Sequence, residues 1–149
     1  MVRKILTGAL FGLGALAFST HAFAQADAID KRQQLMKSQS AAVKEIKAAV
    51  ESKNYATIEA KAKDIMGTAE QIPGAFPKGS TTGKTKAKDD IWEKNEDFVK
   101  QAKTLSKAAG ELAAAAKASN DAEVGVKLKA LGDTCSSCHK SFRAEKYSE

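Results

Sequence analysis

The sequence predicts an all-α protein, an antiparallel four-helix bundle, and three observations carry that prediction. Apolar residues recur at alternating three- and four-residue steps, and no segment alternates with the period of two that a half-buried strand needs. Composition leans on Ala, Lys, Glu and Leu, with two prolines and 6% aromatic residues in 149, which favours helix over sheet. One long connection and two short ones join four periodic segments, which is the loop pattern of such a bundle. At 43% hydrophobic residues, the chain can build one ordinary core and shows no internal repeat or domain boundary.

Residues 1–24 stand apart from this pattern. Arg3 and Lys4 precede an apolar, Gly/Ala-rich stretch over residues 5–18, and Ala22-Phe23-Ala24 forms a small-x-small site before Gln25. This reads as a secretory signal peptide, with a retained anchoring helix as the alternative. The apolar stretch is shorter than the roughly 20 residues a membrane span requires. The expected mature chain, residues 25–149, is a single domain with no membrane span. Losing Arg3 and Lys4 lowers the formal charge from +6 to +4, with 22 basic residues against 18 acidic ones. That is too mild a balance for a nucleic-acid binder. It leaves His139 as the one histidine of the mature chain, in a compartment where two free thiols need a reason.

The helices follow in order. Ile29, Arg32, Met36, Gln39, Val43, Ile46 and Val50 mark the first stripe, and Tyr55, Ile58, Ala62, Ile65, Ala69 and Ile72 the second. Ile91, Asn95, Phe98, Ala102, Leu105, Ala109, Leu112 and Ala116 mark the third. Val124, Leu128, Leu131, Cys135, Cys138 and Phe142 mark the last. The intervening faces are rich in Lys, Glu and Gln. Asn54 is placed to cap the second helix and Asp89 the third, and Ser119-Asn120-Asp121 makes a stop and restart before the fourth. Residues 73–88 hold both prolines and three glycines and form the long connection. Arg32 and Asn95 are polar where a plain bundle seam wants leucine, and such groups cost free energy unless something satisfies them. The expectation is a group seated between the helices.

Cys135-Ser136-Ser137-Cys138-His139 says what that group is. Cys-x-x-Cys-His is the signature of covalent c-type haem attachment. Two thiols three residues apart on one helical face each reach a haem vinyl group, and the adjacent imidazole reaches the iron as proximal ligand. Three other readings compete. A zinc site would want four ligands, and the mature chain offers two Cys, one His and only carboxylates beyond them. A thioredoxin-type pair belongs beside a βαβ pattern, which is absent. A plain disulfide would leave the neighbouring histidine a coincidence.

A C-terminal Cys-x-x-Cys-His on the fourth helix of a bundle resembles the cytochrome c′ family, and four further stretches support the resemblance. Lys31-Arg32-Gln33-Gln34-Leu35-Met36-Lys37 resembles the first-helix motif, an Arg followed four residues later by Leu or Met. Phe76-Pro77-Lys78-Gly79-Ser80 resembles the Phe-Pro-x-Gly-Ser/Thr loop. Thr85-Lys86-Ala87-Lys88-Asp89-Asp90-Ile91-Trp92 resembles the Thr-Lys/Arg-Ala-x-Pro-x-Ile-Trp stretch, with Asp89 where Pro is usual. Cys138-His139-Lys140-Ser141-Phe142-Arg143 resembles the Cys-His-x-x-Tyr/Phe-Arg ending. The resemblance implies one haem c per chain, anchored near the end of the last helix by Cys135 and Cys138 with His139 on the iron. It implies a bacterial periplasmic location and, in many members, a homodimer packed through the first two helices. It also implies that Arg32, Gln33, Thr85 and Arg143 border the haem pocket.

Residue by residue, alternatives remain. Arg32 on the seam either meets a haem propionate, a suitable bidentate partner, or snorkels to water from the bundle edge. Arg143, one turn beyond His139, either borders the proximal pocket or serves the helix dipole. Trp92 reads as a core side chain, and Lys86 and Lys88 as a solvated basic rim. Met36 lies one turn beyond Arg32 on the same face. Its thioether either closes six-coordination, as in low-spin relatives of the cytochrome c-556 type, or packs over an open iron position.

The reading adopted is His/Met six-coordination and one-electron transfer with periplasmic redox partner proteins, steered by the positive charge. The alternative is a five-coordinate cytochrome c′ that takes nitric oxide or carbon monoxide. No acid–base pair, nucleophile triad or phosphate loop is visible, so no enzymatic role is expected.

Overall fold

The computed structural model describes residues 17–81 and 83–146, with side chains described from Gln25 onward. Most of the expected leader, residues 1–16, lies outside the described residues. Helices α1 (Ala17–Glu51), α2 (Tyr55–Gln71), α3 (Asp90–Glu93), α4 (Asn95–Lys117) and α5 (Asp121–Phe142) follow one another, with a single 3-10 turn at Pro73–Ala75. Four of them are long and make the bundle, while α3 is one turn leading into α4. Among the described residues there is no strand, only an isolated antiparallel bridge between Ala87 and Arg143.

The stripes become the core. Ile46 of α1, Ile58 of α2, Leu112 of α4 and Leu131 of α5 are all at 0% exposure and belong to one cluster. Each such side chain contributes about 1.5–3 kcal/mol by leaving water. Ala62 and Ala69 on α2 and Ala109 and Ala116 on α4 are equally buried. These small side chains let α2 and α4 approach, and theirs is the most extensive helix pairing.

Both short connections use the same device. Lys53 and Ser119 take left-handed backbone, with φ of 53° and 52°. The next amides turn back to close the preceding helix, Asn54 N to Ala49 O at 2.8 Å and Asn120 N to Ala115 O at 3.2 Å. Each asparagine then starts the following helix: Asn54 Oδ1 accepts from Thr57 N at 3.1 Å and Asn120 Oδ1 from Glu123 N at 3.2 Å. These are Schellman-type endings followed at once by side-chain caps.

The third helix departs from expectation. Asp89 makes no capping side-chain bond. Lys94, at φ −114° and ψ 46°, interrupts the run, so a turn and then a helix stand where one helix was predicted. Asn95 is exposed and not on a buried seam. Its Nδ2 donates to Ile91 O at 3.3 Å across the interruption. Asn95 therefore needs no ligand to satisfy it.

Helix pairs α1–α2, α2–α4 and α4–α5 pack along their lengths, whereas α1 and α5 scarcely touch. The fourth seam of the bundle is open.

Candidate functional site

A cavity of about 290 Å³ occupies that seam, near the lower end of the roughly 300–1,000 Å³ usual for ligand pockets. Its apolar wall is built around three phenylalanines from three elements. Phe76 of the long connection, Phe98 of α4 and Phe142 of α5 stand edge to face, with ring centroids 5.0 and 5.2 Å apart. Ile72 and Ile91 complete the wall. Trp92 fixes the connection behind it, its Nε1 donating to Phe76 O and Pro77 O, each at 3.1 Å.

Helix α1 brings Arg32, Gln33 and Met36 to the cavity, because residues four apart on a helix share a face. Helix α5 brings Cys138, His139 and Arg143, and the connection brings Thr85. Seven of the eight residues singled out in the sequence thus line one cavity. The eighth, Cys135, lies one turn before Cys138, half-buried against the core. Both cysteines are free thiols. Burial pushes both thiols above the ordinary cysteine range, because it penalises the thiolate. His139 is exposed as a residue, yet desolvation by partial burial, with the Arg143 cation adding, lowers its pKa. Neutral imidazole, the metal-ligating form, is favoured.

Arg32 is only 3% exposed. Its Nη1 donates to Ser80 Oγ at 2.9 Å, and its Nη2 to Ser80 O at 2.9 Å and Thr85 Oγ1 at 2.6 Å. The guanidinium also lies 4.8 Å from the Phe76 ring centroid, within cation–π range. Burial lowers its pKa, though arginine stays charged. So Arg32 does not snorkel, and protein acceptors already hold it. Beside it Gln33 Nε2 donates to Lys84 O at 2.8 Å. Ser80 and the three phenylalanines were not singled out as site residues. The Phe-Pro-Lys-Gly-Ser run was the signal that could have found Phe76 and Ser80.

Electrostatically the cavity is one-sided. Arg32, Lys37, Lys86 and Arg143 line it, and no carboxylate does. The donor set is two thiols and an imidazole from one helix, a thioether from another, an aromatic wall and a cationic rim. This set fits haem c, whose macrocycle is apolar and whose propionates are anionic. It does not fit zinc: no group of three or more His, Cys, Asp or Glu placed to hold a metal ion occurs among the described residues.

Comparison with known proteins agrees. Residues 27–143 match the family described as Cytochrome C′. A cytochrome c′ from Rhodospirillum rubrum is 46% identical over 85 residues, covering 56% of this chain and 58% of that protein. A cytochrome c-556 from Agrobacterium tumefaciens is 31% identical over 121 residues, covering 79% of this chain and 98% of that protein. A solved cytochrome c′ described by its ligand-controlled dimer dissociation superposes with a TM-score of 0.76 at 28% identity, over 81% of this chain and 97% of that one.

Proposed function

Since the chain belongs to the cytochrome c′ family of covalent haem c proteins, we propose that it is a periplasmic one-electron carrier with iron held between His139 and Met36. One observation carries the reading. Met36 and His139 reach a single cavity from two helices that otherwise scarcely touch. Haem c, when bound, supplies a one-electron couple at its iron. The chain's residues do the rest. Cys135 and Cys138 anchor the group through thioethers, and His139 presents a neutral imidazole. Met36 presents a soft sulfur, Arg32, Gln33, Thr85 and Arg143 border the propionate and proximal edges, and the phenylalanine wall excludes water. Residues 1–24 export the chain and redox proteins of the same compartment are its partners. The related cytochrome c′ described by its dimer dissociation supports a homodimeric assembly.

The similarity to a cytochrome c-556 supports this reading through the resemblance of the first-helix stretch, which in low-spin relatives of that type implies methionine ligation. A second reading also has an observation behind it: Met36 is half-buried and packs on the core cluster, as an apolar obstacle over an open site would. The iron would then be five-coordinate and take nitric oxide or carbon monoxide. No enzymatic role is assigned in either case.

Visible spectra of the ferric and ferrous holoprotein, with and without carbon monoxide, separate the two. Sharp low-spin bands indifferent to carbon monoxide are expected, and Met36→Ala opens the site to it. A broad high-spin spectrum that shifts with carbon monoxide in the unmutated protein replaces the first reading with the second.

A further inference from the structure

We propose that residues 84–88 form a strap across the cleft that sets the separation of α1 from α5, with Thr85 as its positioning residue. The proposal rests on the reading that this cleft holds the haem. It explains how two helices with scarcely a direct contact are held at a fixed distance.

On the α1 side, Gln33 binds Lys84 O, and Arg32 binds Thr85 Oγ1. On the α5 side the strap runs antiparallel to the chain leaving the helix. Lys88 N donates to Phe142 O at 3.0 Å and Ala144 N to Lys86 O at 2.8 Å. Side chains repeat the tie, Lys86 Nζ to Glu145 O at 2.7 Å and Lys88 Nζ to Lys140 O at 3.2 Å. Between the two sides Thr85 Oγ1 also accepts from Ala87 N at 3.1 Å. One buried hydroxyl thus joins the arginine of α1 to the bend that leads to α5. Thr85 is 3% exposed, so water does not replace those bonds cheaply.

The strap therefore governs how closely Met36 is held towards the face that carries His139. Whether Met36 ligates or only obstructs, its side chain must give way before an external ligand enters. Loosening the strap should make that easier in both cases.

The test is carbon monoxide association with ferrous holoprotein, read alongside amide hydrogen exchange. Thr85→Val keeps the shape and removes the acceptor. Its association rate should rise about tenfold, the scale of one lost charged hydrogen bond. Thr85→Ser restores the oxygen and should stay within about twofold of the unmutated protein. Lys88→Met, on the exposed side of the tie, should shift the rate in the same direction by less, and it decides the question alone if Thr85→Val does not fold. Exchange should quicken at Ala87 and Ala144 while core amides of α2 and α4 are unchanged. A Thr85→Val rate within twofold of the original overturns the proposal, as does uniform acceleration of all amides, which would make Thr85 a stability residue only. A high-spin unmutated protein would sink methionine ligation and leave the strap readable from the ratio of rates.

Discussion

At the scale of single residues, Arg32 shows how a buried charge is made tolerable. Desolvating a cation costs several kcal/mol unless its donors are used, and here three well-placed acceptors and an aromatic face use them. The planar fork is what fits this arrangement: two nitrogens address Ser80 and one of them also reaches Thr85. Lysine has one nitrogen and a different reach. Arg32→Lys should lower the unfolding free energy of the holoprotein by about 1–3 kcal/mol, the cost of one or two charge-assisted hydrogen bonds. Urea unfolding followed by circular dichroism measures it, and an unchanged midpoint would mean the fork contributes nothing. The sequence placed Arg32 on the seam by its spacing. Spacing alone could not reveal its partners, which lie 48 and 53 residues further along the chain; only the resemblance put Thr85 at the same pocket. Cys138 and His139 were easier to place, because they belong to a short local motif whose chemistry dictates its spacing, whereas Met36 was placed by its spacing from Arg32 and by the first-helix resemblance.

At the scale of elements, two residues with the same apparent task differ in structure. Asn54 caps α2 through its side chain, whereas Asp89 caps nothing. Asn54→Ala should therefore cost about 1 kcal/mol, the usual value of a side-chain cap. Asp89→Ala should fall within about 0.5 kcal/mol of no effect, as for most exposed substitutions. Thermal or urea midpoints of the two variants compare them directly, and equal losses would refute the distinction. Asp89 misled because its own backbone is helical, at φ −63° and ψ −23°, where a capping residue takes an extended one. The break at Lys94 was hidden for a separate reason. Ile91 and Phe98 are both buried, and their seven-residue separation is close to two helical turns. The stripe stays in phase across the non-helical Lys94, so periodicity cannot detect the interruption. The strap was unreadable for a related reason. Its conformation is set by bonds to α1 and to the end of α5, and an extended segment has no helical period to show. The four long helices, both short turns and the extent of the long connection were legible because each rests on local pattern.

At the scale of the whole molecule, charge and site are not independent. Residues 25–149 carry a net +4, and the cleft concentrates cations at its walls without a carboxylate among them. A reagent approaching the haem edge should feel that local field more than the net charge, because screening in salt confines it to about 10 Å at 0.1 M. Ferrous holoprotein oxidised by an anionic reagent such as ferricyanide should therefore slow as ionic strength rises, and a cationic oxidant should show the opposite trend. Two exposed lysines on one helix test the local claim. Lys37 lines the cleft, and Lys47 lies ten residues further along α1, roughly 15 Å away at 1.5 Å per residue. Lys37→Glu and Lys47→Glu alter the net charge equally. At low salt, Lys37→Glu should depress the ferricyanide rate several-fold more than Lys47→Glu, and the gap should close as salt is added. Equal effects would mean that only total charge steers encounter. The cationic rim would then have no part in choosing a partner.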